Sequence, residues 1–244
     1  MPLVGFGTWQ LHGTAAYGAV RTALDVGYRL IDTATMYRNE KQVGRAISDS
    51  HIGREDLFVT TKLAPGDAGR EQRTIEASLR ALGLDHIDLW LVHWPPRARA
   101  LVPTWEGFLA VRDAGLVTSV GVSNYSIAQI DRLVDATGEV PAVNQIPWAP
   151  SLFDPRLLAA SRERGVVVEG YSPFKNTNLK DRALEAIAKN HGASTAQVIV
   201  RWHVQHEVVA IPKSASAERI AQNFDVFGFE LSPADMRELD DFGR

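Results

Sequence analysis

Arg29-Leu30-Ile31-Asp32, the run Glu40–Ser50 and Leu57-Phe58-Val59-Thr60-Thr61-Lys62 follow one another as an apolar segment, an amphipathic segment and a second apolar segment. A short β-rich run, then apolar residues recurring every three or four positions, then another β-rich run is the pattern of a strand–helix–strand unit with parallel strands. Working outward, the same alternation recurs in both directions. Upstream, Val4–Thr8 reads as a strand and Ala15–Val26 as a helix. Downstream, strands are expected at Ile87–His93, Val117–Gly121, Ala142–Ile146, Val166–Tyr171 and Val208–Ile211. Helices are expected over Arg70–Leu82, Trp105–Ala114, Ile127–Ala136, Pro155–Glu163, Arg182–His206 in two pieces, and Ala217–Phe224. Eight such units in 244 residues predict an α/β chain folded as one (β/α)8 TIM barrel domain over residues 1–244. An open doubly wound sheet fits less well, because Gly5-Phe6-Gly7-Thr8-Trp9 lacks the Gly-x-Gly-x-x-Gly turn that cradles a pyrophosphate after the first strand.

Composition narrows the function classes. Hydrophobic residues make up 45% and charged residues 23%, without a low-complexity block, which excludes a disordered chain. A formal net charge of -3 offers no broad basic field for nucleic acid or an acidic membrane. The absence of cysteine removes disulfides, thiolate catalysis and zinc–sulfur sites. The N-terminal MPLVGFGTWQ has neither the positive nor the apolar region of a signal peptide, and apolar runs such as Ile87–Trp94 fall far short of the roughly 20 residues that span a bilayer. A cytoplasmic monomer needing no protein partner is expected.

In an α/β barrel the site lies where strands end, so polar residues that terminate apolar strands carry the functional reading. Asp32, Lys62 and His93 end the second, third and fourth strands, and Tyr37 follows Asp32. Taken singly, each has a structural explanation as a turn residue, a snorkelling lysine, a core histidine or a packing aromatic. Taken together, ionisable groups at three consecutive strand ends are costly to bury without a purpose. An ammonium beside a phenol is expected to lower its pKa, Asp32 to hold Lys62, and His93 to polarise a carbonyl. Such a group handles a proton and contains no electron source, so a hydride-donating cofactor is implied. After the eighth strand, Lys213 and Ser214 precede a helix bearing Arg219 in its first turn, which reads equally as an anion site or as a solvated basic face.

Several runs resemble the aldo-keto reductase superfamily, in family order along nearly the whole chain. They are Gly27-Tyr28-Arg29-Leu30-Ile31-Asp32-Thr33-Ala34 followed by Tyr37, Thr61-Lys62-Leu63, and Asp85-His86-Ile87-Asp88-Leu89 through His93-Trp94-Pro95. Gly121-Val122-Ser123-Asn124-Tyr125, Asn144-Gln145, Tyr171-Ser172-Pro173 and Ile211-Pro212-Lys213-Ser214 continue the match. The resemblance implies NADPH-dependent reduction of aldehydes or ketones, with Asp32, Tyr37, Lys62 and His93 as catalytic tetrad and Tyr37 as proton donor. It implies that Tyr171 stacks on the nicotinamide and that Ser123, Asn124 and Gln145 bind its carboxamide. It assigns Lys213, Ser214 and Arg219 to the 2′-phosphate and Gln222 and Asn223 to the adenine, with Ser172, Pro173, Phe174, Ala215 and Ser216 completing the NADPH/NADP+ contacts. Trp9 and Trp94, with Tyr37 and His93, match the substrate pocket.

Two departures from the family pattern are expected. The usual N-terminal β-hairpin under the barrel is lacking, and the C-terminal segment that reaches over the mouth is shortened. Three packing outcomes at the floor stay open: Met1–Val4 fills it, stability falls, or a partner covers it. A weakly active or non-enzymatic NADPH-binding, redox-sensing protein is the alternative function. A metal-dependent hydrolase or isomerase is a remote third, since no His-x-His or clustered carboxylates fall at strand ends.

Overall fold

The computed structural model describes residues 1–243. Eight strands, β1 (Phe6–Gly7), β2 (Leu30–Asp32), β3 (Phe58–Leu63), β4 (Ile87–Val92), β5 (Val117–Ser123), β6 (Val143–Pro147), β7 (Val167–Tyr171) and β8 (Val209–Ala210), form one parallel sheet in sequence order. The sheet closes on itself. Val4, just before β1, bridges in parallel to Ala210 of β8. Gly5 N donates to Ala210 O at 2.8 Å, Ala210 N to Leu3 O at 2.9 Å, and Gly7 N to Pro212 O at 3.1 Å. This is the expected (β/α)8 barrel. The seam strands are shorter than the sequence pattern predicts, and the backbones meet closely there: a Cβ on Gly7 would stand 2.9 Å from the Ile211 carbonyl oxygen.

Around the sheet run α1 (Gly13–Val26), α2 (Glu40–Ser48), α3 (Glu71–Leu82), α4 (Leu101–Asp113), α5 (Ile127–Thr137), α6 (Pro155–Glu163), α7 (Arg182–Asn190), α8 (Thr195–Gln205), α9 (Ala217–Phe224) and α10 (Pro233–Asp240). Local chemistry fixes several starts: Ser126 and Ser194 form capping boxes with Gln129 and Gln197, and Asp154 caps α6 ahead of Pro155. Two helices depart from the expectation. α4 begins at Leu101 rather than Trp105, since Pro103 sits in its first turn, where no backbone N–H is needed. α10 was not anticipated, although Ser232 caps it in a box with Asp235 and proline follows at its first position. Its apolar content is small, with only Leu239 buried, so periodicity did not mark it.

The core has two layers. Inside the barrel, Leu30, Val209 and Ile211 pack with Leu3 and Phe58, and Leu89, Leu91 and Val143 form a second group. Of the outcomes open for the floor, Leu3 is thus seen to pack against the interior. Outside, the sheet is covered by a large cluster in which Trp90 stacks on Phe108 at 3.8 Å, and by a second one around Trp148 and Trp202. Each large side chain taken out of water here contributes about 1.5–3 kcal/mol before entropy is counted.

The α2–α3 contact is tight: a Cβ on Gly44 would lie 2.1 Å from the Leu82 carbonyl oxygen. Gly44→Ala is expected to lower stability by about 1–3 kcal/mol, against the rise that alanine's helix propensity alone would bring. A urea unfolding midpoint equal to or above the parent's would contradict the packing account.

Candidate active site

Alternation along β3 decides which side chains face inward. Thr61 points outward, giving its hydroxyl to Glu40 Oε1 at 2.7 Å, so Lys62 points into the barrel. Lys62 Nζ donates to Asp32 Oδ1 and Oδ2, both at 2.6 Å, and to Thr33 O at 2.8 Å. Both residues are buried. Gln145 Nε2, from the far side of the interior, donates to Asp32 Oδ2 at 2.8 Å. Burial pulls the Lys62 pKa down, but Asp32 and then Tyr37 more than compensate and hold it above the ordinary lysine value. The ammonium is charged and its three protons have acceptors.

Tyr37 is set by a short turn, Thr35–Tyr37, and the loops around it are stitched together by one buried carboxamide. Asn39 Oδ1 accepts from Thr33 Oγ1 at 2.7 Å, and its Nδ2 donates to Thr8 O at 2.9 Å and Leu11 O at 3.0 Å. Thr35 Oγ1 donates to Lys62 O at 3.0 Å. Lys62 Nζ lies 5.1 Å from the Tyr37 ring centroid, and the His93 ring packs edge-on against it at 5.6 Å. Burial raises the Tyr37 pKa, and the opposing pull of Lys62 does not overcome it. The expectation that the ammonium would bring this phenol below its ordinary value is therefore corrected: desolvation wins.

His93 follows β4 and is held in register by its backbone N–H, which donates to Leu63 O at 3.1 Å. Burial first, and Lys62 second, push its pKa down to about 3, so the ring is neutral at physiological pH. Its Nδ1 is buried without a partner. Protonation at Nε2 then leaves only a lone pair at the orphaned position and makes Nε2 the available donor.

Next to this group lies a polar network. Tyr171 OH donates to Asn124 Oδ1 at 2.8 Å, Asn124 Nδ2 to His93 O at 3.0 Å and Ser123 Oγ at 2.9 Å, and Ser123 Oγ to Gln145 O at 2.8 Å. Asn124 and Ser172 adopt left-handed backbone with φ of 65° and 53°, conformations strained for non-glycine residues. Pro173 is buried, and Phe174 packs against both outer clusters.

The residues after β8 form a separate group. Ser216 caps α9, its Oγ accepting from Arg219 N at 3.4 Å, and Ser214 Oγ accepts from Ser216 N at 3.1 Å. Lys213, Ala215 and Arg219 are exposed, and neither cation forms an ion pair among the described residues. Gln222 bonds Glu218 at 3.3 Å, while Asn223 is buried. The sheet joins this group to the first, with Ile211 N donating to Gly170 O at 3.2 Å. At the mouth, Trp9 and Trp94 are 53% and 47% exposed, and Met36, which the sequence reading did not single out, is 54% exposed beside Tyr37.

One interior residue was missed entirely. Glu169 on β7 is fully buried, and neither carboxyl oxygen has a hydrogen-bond partner. A signal existed: a lone carboxylate in an apolar strand, two positions before Tyr171 and hence on the same face. Among the described residues no cluster of three or more histidine, aspartate or glutamate side chains could hold a metal, and no helix is long and apolar enough to cross a membrane.

Comparison with known proteins settles the ancestry of this arrangement. The model of the aldo/keto reductase family matches residues 3–244. The chain belongs to the aldo/keto reductase family. It is 42% identical over 258 residues to a morphine 6-dehydrogenase of Pseudomonas putida, covering 99% of this chain and 87% of that protein. A crystal structure of an aldo/keto reductase from Brucella melitensis superposes with a TM-score of 0.96 at 39% identity, covering 99% of this chain and 94% of that one. A Bombyx mori aldo-keto reductase solved in complex with NADP gives 0.93 at 34% identity, over 99% of this chain and 89% of that one. The chain is an oxidoreductase of this barrel family.

Removing one partner of the buried pair tests its energetics. Lys62→Met is expected to cost about 3–5 kcal/mol by stranding Asp32 without its counter-charge, whereas Asp32→Asn combined with Lys62→Met should cost clearly less than the two single changes added together. Additive losses in chemical denaturation would show that the two groups do not act as a pair.

Proposed function

We propose that the chain reduces aldehydes or ketones to alcohols with NADPH, Tyr37 delivering the proton, and that alcohol oxidation is the reverse reaction. The observation that carries this reading is a phenol placed between a charged, fully buried Lys62 and a neutral His93 at one rim of the barrel. When bound, the cofactor supplies a hydride from nicotinamide C4 to the carbonyl carbon. Neutral His93 donates a hydrogen bond from Nε2 to the carbonyl oxygen and fixes its direction. As negative charge builds on that oxygen, Tyr37 gives up its proton, and the phenolate that forms is stabilised by Lys62, itself held by Asp32. The raised phenol pKa keeps Tyr37 protonated and ready to donate at neutral pH.

The residues present fit a nicotinamide dinucleotide phosphate. Tyr171 offers a half-buried ring, and Ser123, Asn124 and Gln145 offer amide and hydroxyl groups to a carboxamide. Ser172, Pro173 and Phe174 continue that wall. Lys213 and Arg219 supply unpaired cations at the capped start of α9, with Ser214, Ala215 and Ser216 between them; a helix N-terminus with added cations suits a phosphate. Gln222 and Asn223 lie one turn on, toward an adenine. Trp9, Met36 and Trp94 supply an apolar mouth for the carbonyl substrate. All these residues come from one chain, and the monomer is taken as the working unit.

Three experiments test the assignment. Tyr37→Phe is expected to reduce kcat about 10²–10⁴-fold while NADPH binding, followed by fluorescence, is retained. If the parent itself fails to oxidise bound NADPH in a single turnover with a reactive aromatic aldehyde, the chain is a cofactor-binding protein instead. Arg219→Ala is expected to weaken NADPH roughly tenfold or more, from the loss of a charge-assisted contact, with NADH unaffected; an unchanged ratio of the two affinities would refute the phosphate assignment.

A further inference from the structure

Glu169 takes no part in the chemistry proposed above, yet it occupies the barrel interior with the groups that do. It is fully buried, it pairs in register with Gln145 of β6 and Val209 of β8, and neither of its oxygens receives a hydrogen bond. Gln145, its register partner, donates its amide to Asp32 Oδ2 at 2.8 Å. The charged and titratable groups that act on it are Asp32 of β2 and Lys62 of β3, and it acts in turn on Tyr37 in the turn after β2. On the outer side of β7 the His203 ring of α8 lies against Gly170, engaged with the carbonyls of Ile199 and Trp148.

Charge counting decides the state of this carboxyl. The one interior ammonium is already bonded to both oxygens of Asp32 and to a backbone carbonyl, so it has no proton left to give Glu169. An ionised Glu169 would be a second buried anion beside Asp32, with Lys62 already committed to that carboxylate, which is a costly way to bury a carboxyl. We propose that Glu169 is a positioning residue that holds a proton beneath the Asp32–Lys62 pair and, through its charge, governs how readily Tyr37 gives up its own. The part of this inference that concerns Tyr37 rests on the reductase reading; the part that concerns the proton does not.

The physical basis is direct. Burial, and then the neighbouring Asp32 charge, push the Glu169 pKa up to about 8, against a smaller downward pull from Gln145 and Lys62. Below that pH the interior holds one cation and one anion, and phenolate forming at Tyr37 meets the full field of Lys62. Above it a second anion is present, which raises the Tyr37 pKa and opposes phenolate. The site then donates a proton to a carbonyl less readily, and it generates the phenolate needed for alcohol oxidation only at higher pH.

Glu169→Gln keeps the shape and removes the titration, and two measurements read the consequence. The first is stability. A carboxyl whose pKa is higher in the folded state stabilises the fold fully below the unfolded carboxyl pKa, and that stabilisation is lost as pH rises toward its folded pKa. Between about pH 4.5 and 8 the folding equilibrium constant of the parent, relative to the Gln variant, should therefore fall about tenfold per pH unit. A ratio that stays flat with pH would overturn the proposal. The second is Tyr37. In Glu169→Gln the alkaline rise of alcohol oxidation should move to lower pH by at least roughly half a unit, the effect of one removed charge in a partly screened interior. Tyrosinate absorbance, taken as the difference from Tyr37→Phe in each background, should move with it. Profiles that superimpose after scaling would reduce Glu169 to a packing residue. Absence of turnover in both proteins would count against the reductase reading alone, and the absorbance titration then decides the role of Glu169.

Discussion

An ammonium buried without solvent, bonded to both oxygens of one carboxylate, is the constraint around which the barrel interior is arranged. Lys62 and Asp32 sit on neighbouring strands, and each is ruinous to the fold without the other. Their pairing demands that β2 and β3 present these positions to the interior in fixed register, that Thr33 turn its carbonyl inward, and that Gln145 reach across from β6. Four positions from three separate parts of the chain are thereby tied together. Few arrangements of the surrounding backbone satisfy all of them, so the pair acts as a gauge for the whole mouth as much as a source of stability.

The same pair sets the electrical character of its neighbours, in opposite directions. His93 is driven neutral because burial and Lys62 both penalise a second cation. Tyr37 feels the ammonium as a help to its anion, yet burial outweighs that help, so the phenol is protonated at rest. In the reaction proposed above, a donor that is reluctant at rest and assisted at the moment of transfer suits reduction at neutral pH. Had Lys62 dominated, as the bare juxtaposition of residue types suggests, the phenol would hold its proton less firmly at rest.

Much of this was legible in the residues alone, for physical reasons. Strand-terminal polar groups on apolar runs have few structural explanations, so Asp32, Lys62 and His93 stood out, and the period change between strands and helices exposed the barrel. What escaped was whatever depends on surroundings rather than type. Glu169 looks like any strand glutamate until its burial and its bondless oxygens are known. The balance of desolvation against charge at Tyr37 requires depth, which one-dimensional spacing does not carry. α10 escaped because a capped helix with a single buried leucine has almost no periodicity to detect, even though its capping box was there to be read. The early start of α4 was missed because Leu101-Val102-Pro103-Thr104 carries no helical periodicity of its own, although Pro103 is at home in a first turn.

Asn39 has a consequence for how such a site can diversify. Its carboxamide ties the segments that follow β1 and β2, and Thr35 ties them to the end of β3, so the half of the rim that carries Tyr37 behaves as one stiff unit. The segments after β4 and β7, Arg97–Arg99 and Lys175–Lys180 among them, are largely exposed and outside that unit. Change can accumulate in those exposed segments without touching the hydrogen bonds that hold the turn carrying Tyr37. The mouth is thereby divided: Trp9 and Met36 are borne by the tied segments beside Tyr37, whereas Trp94 and the exposed segments lie outside them.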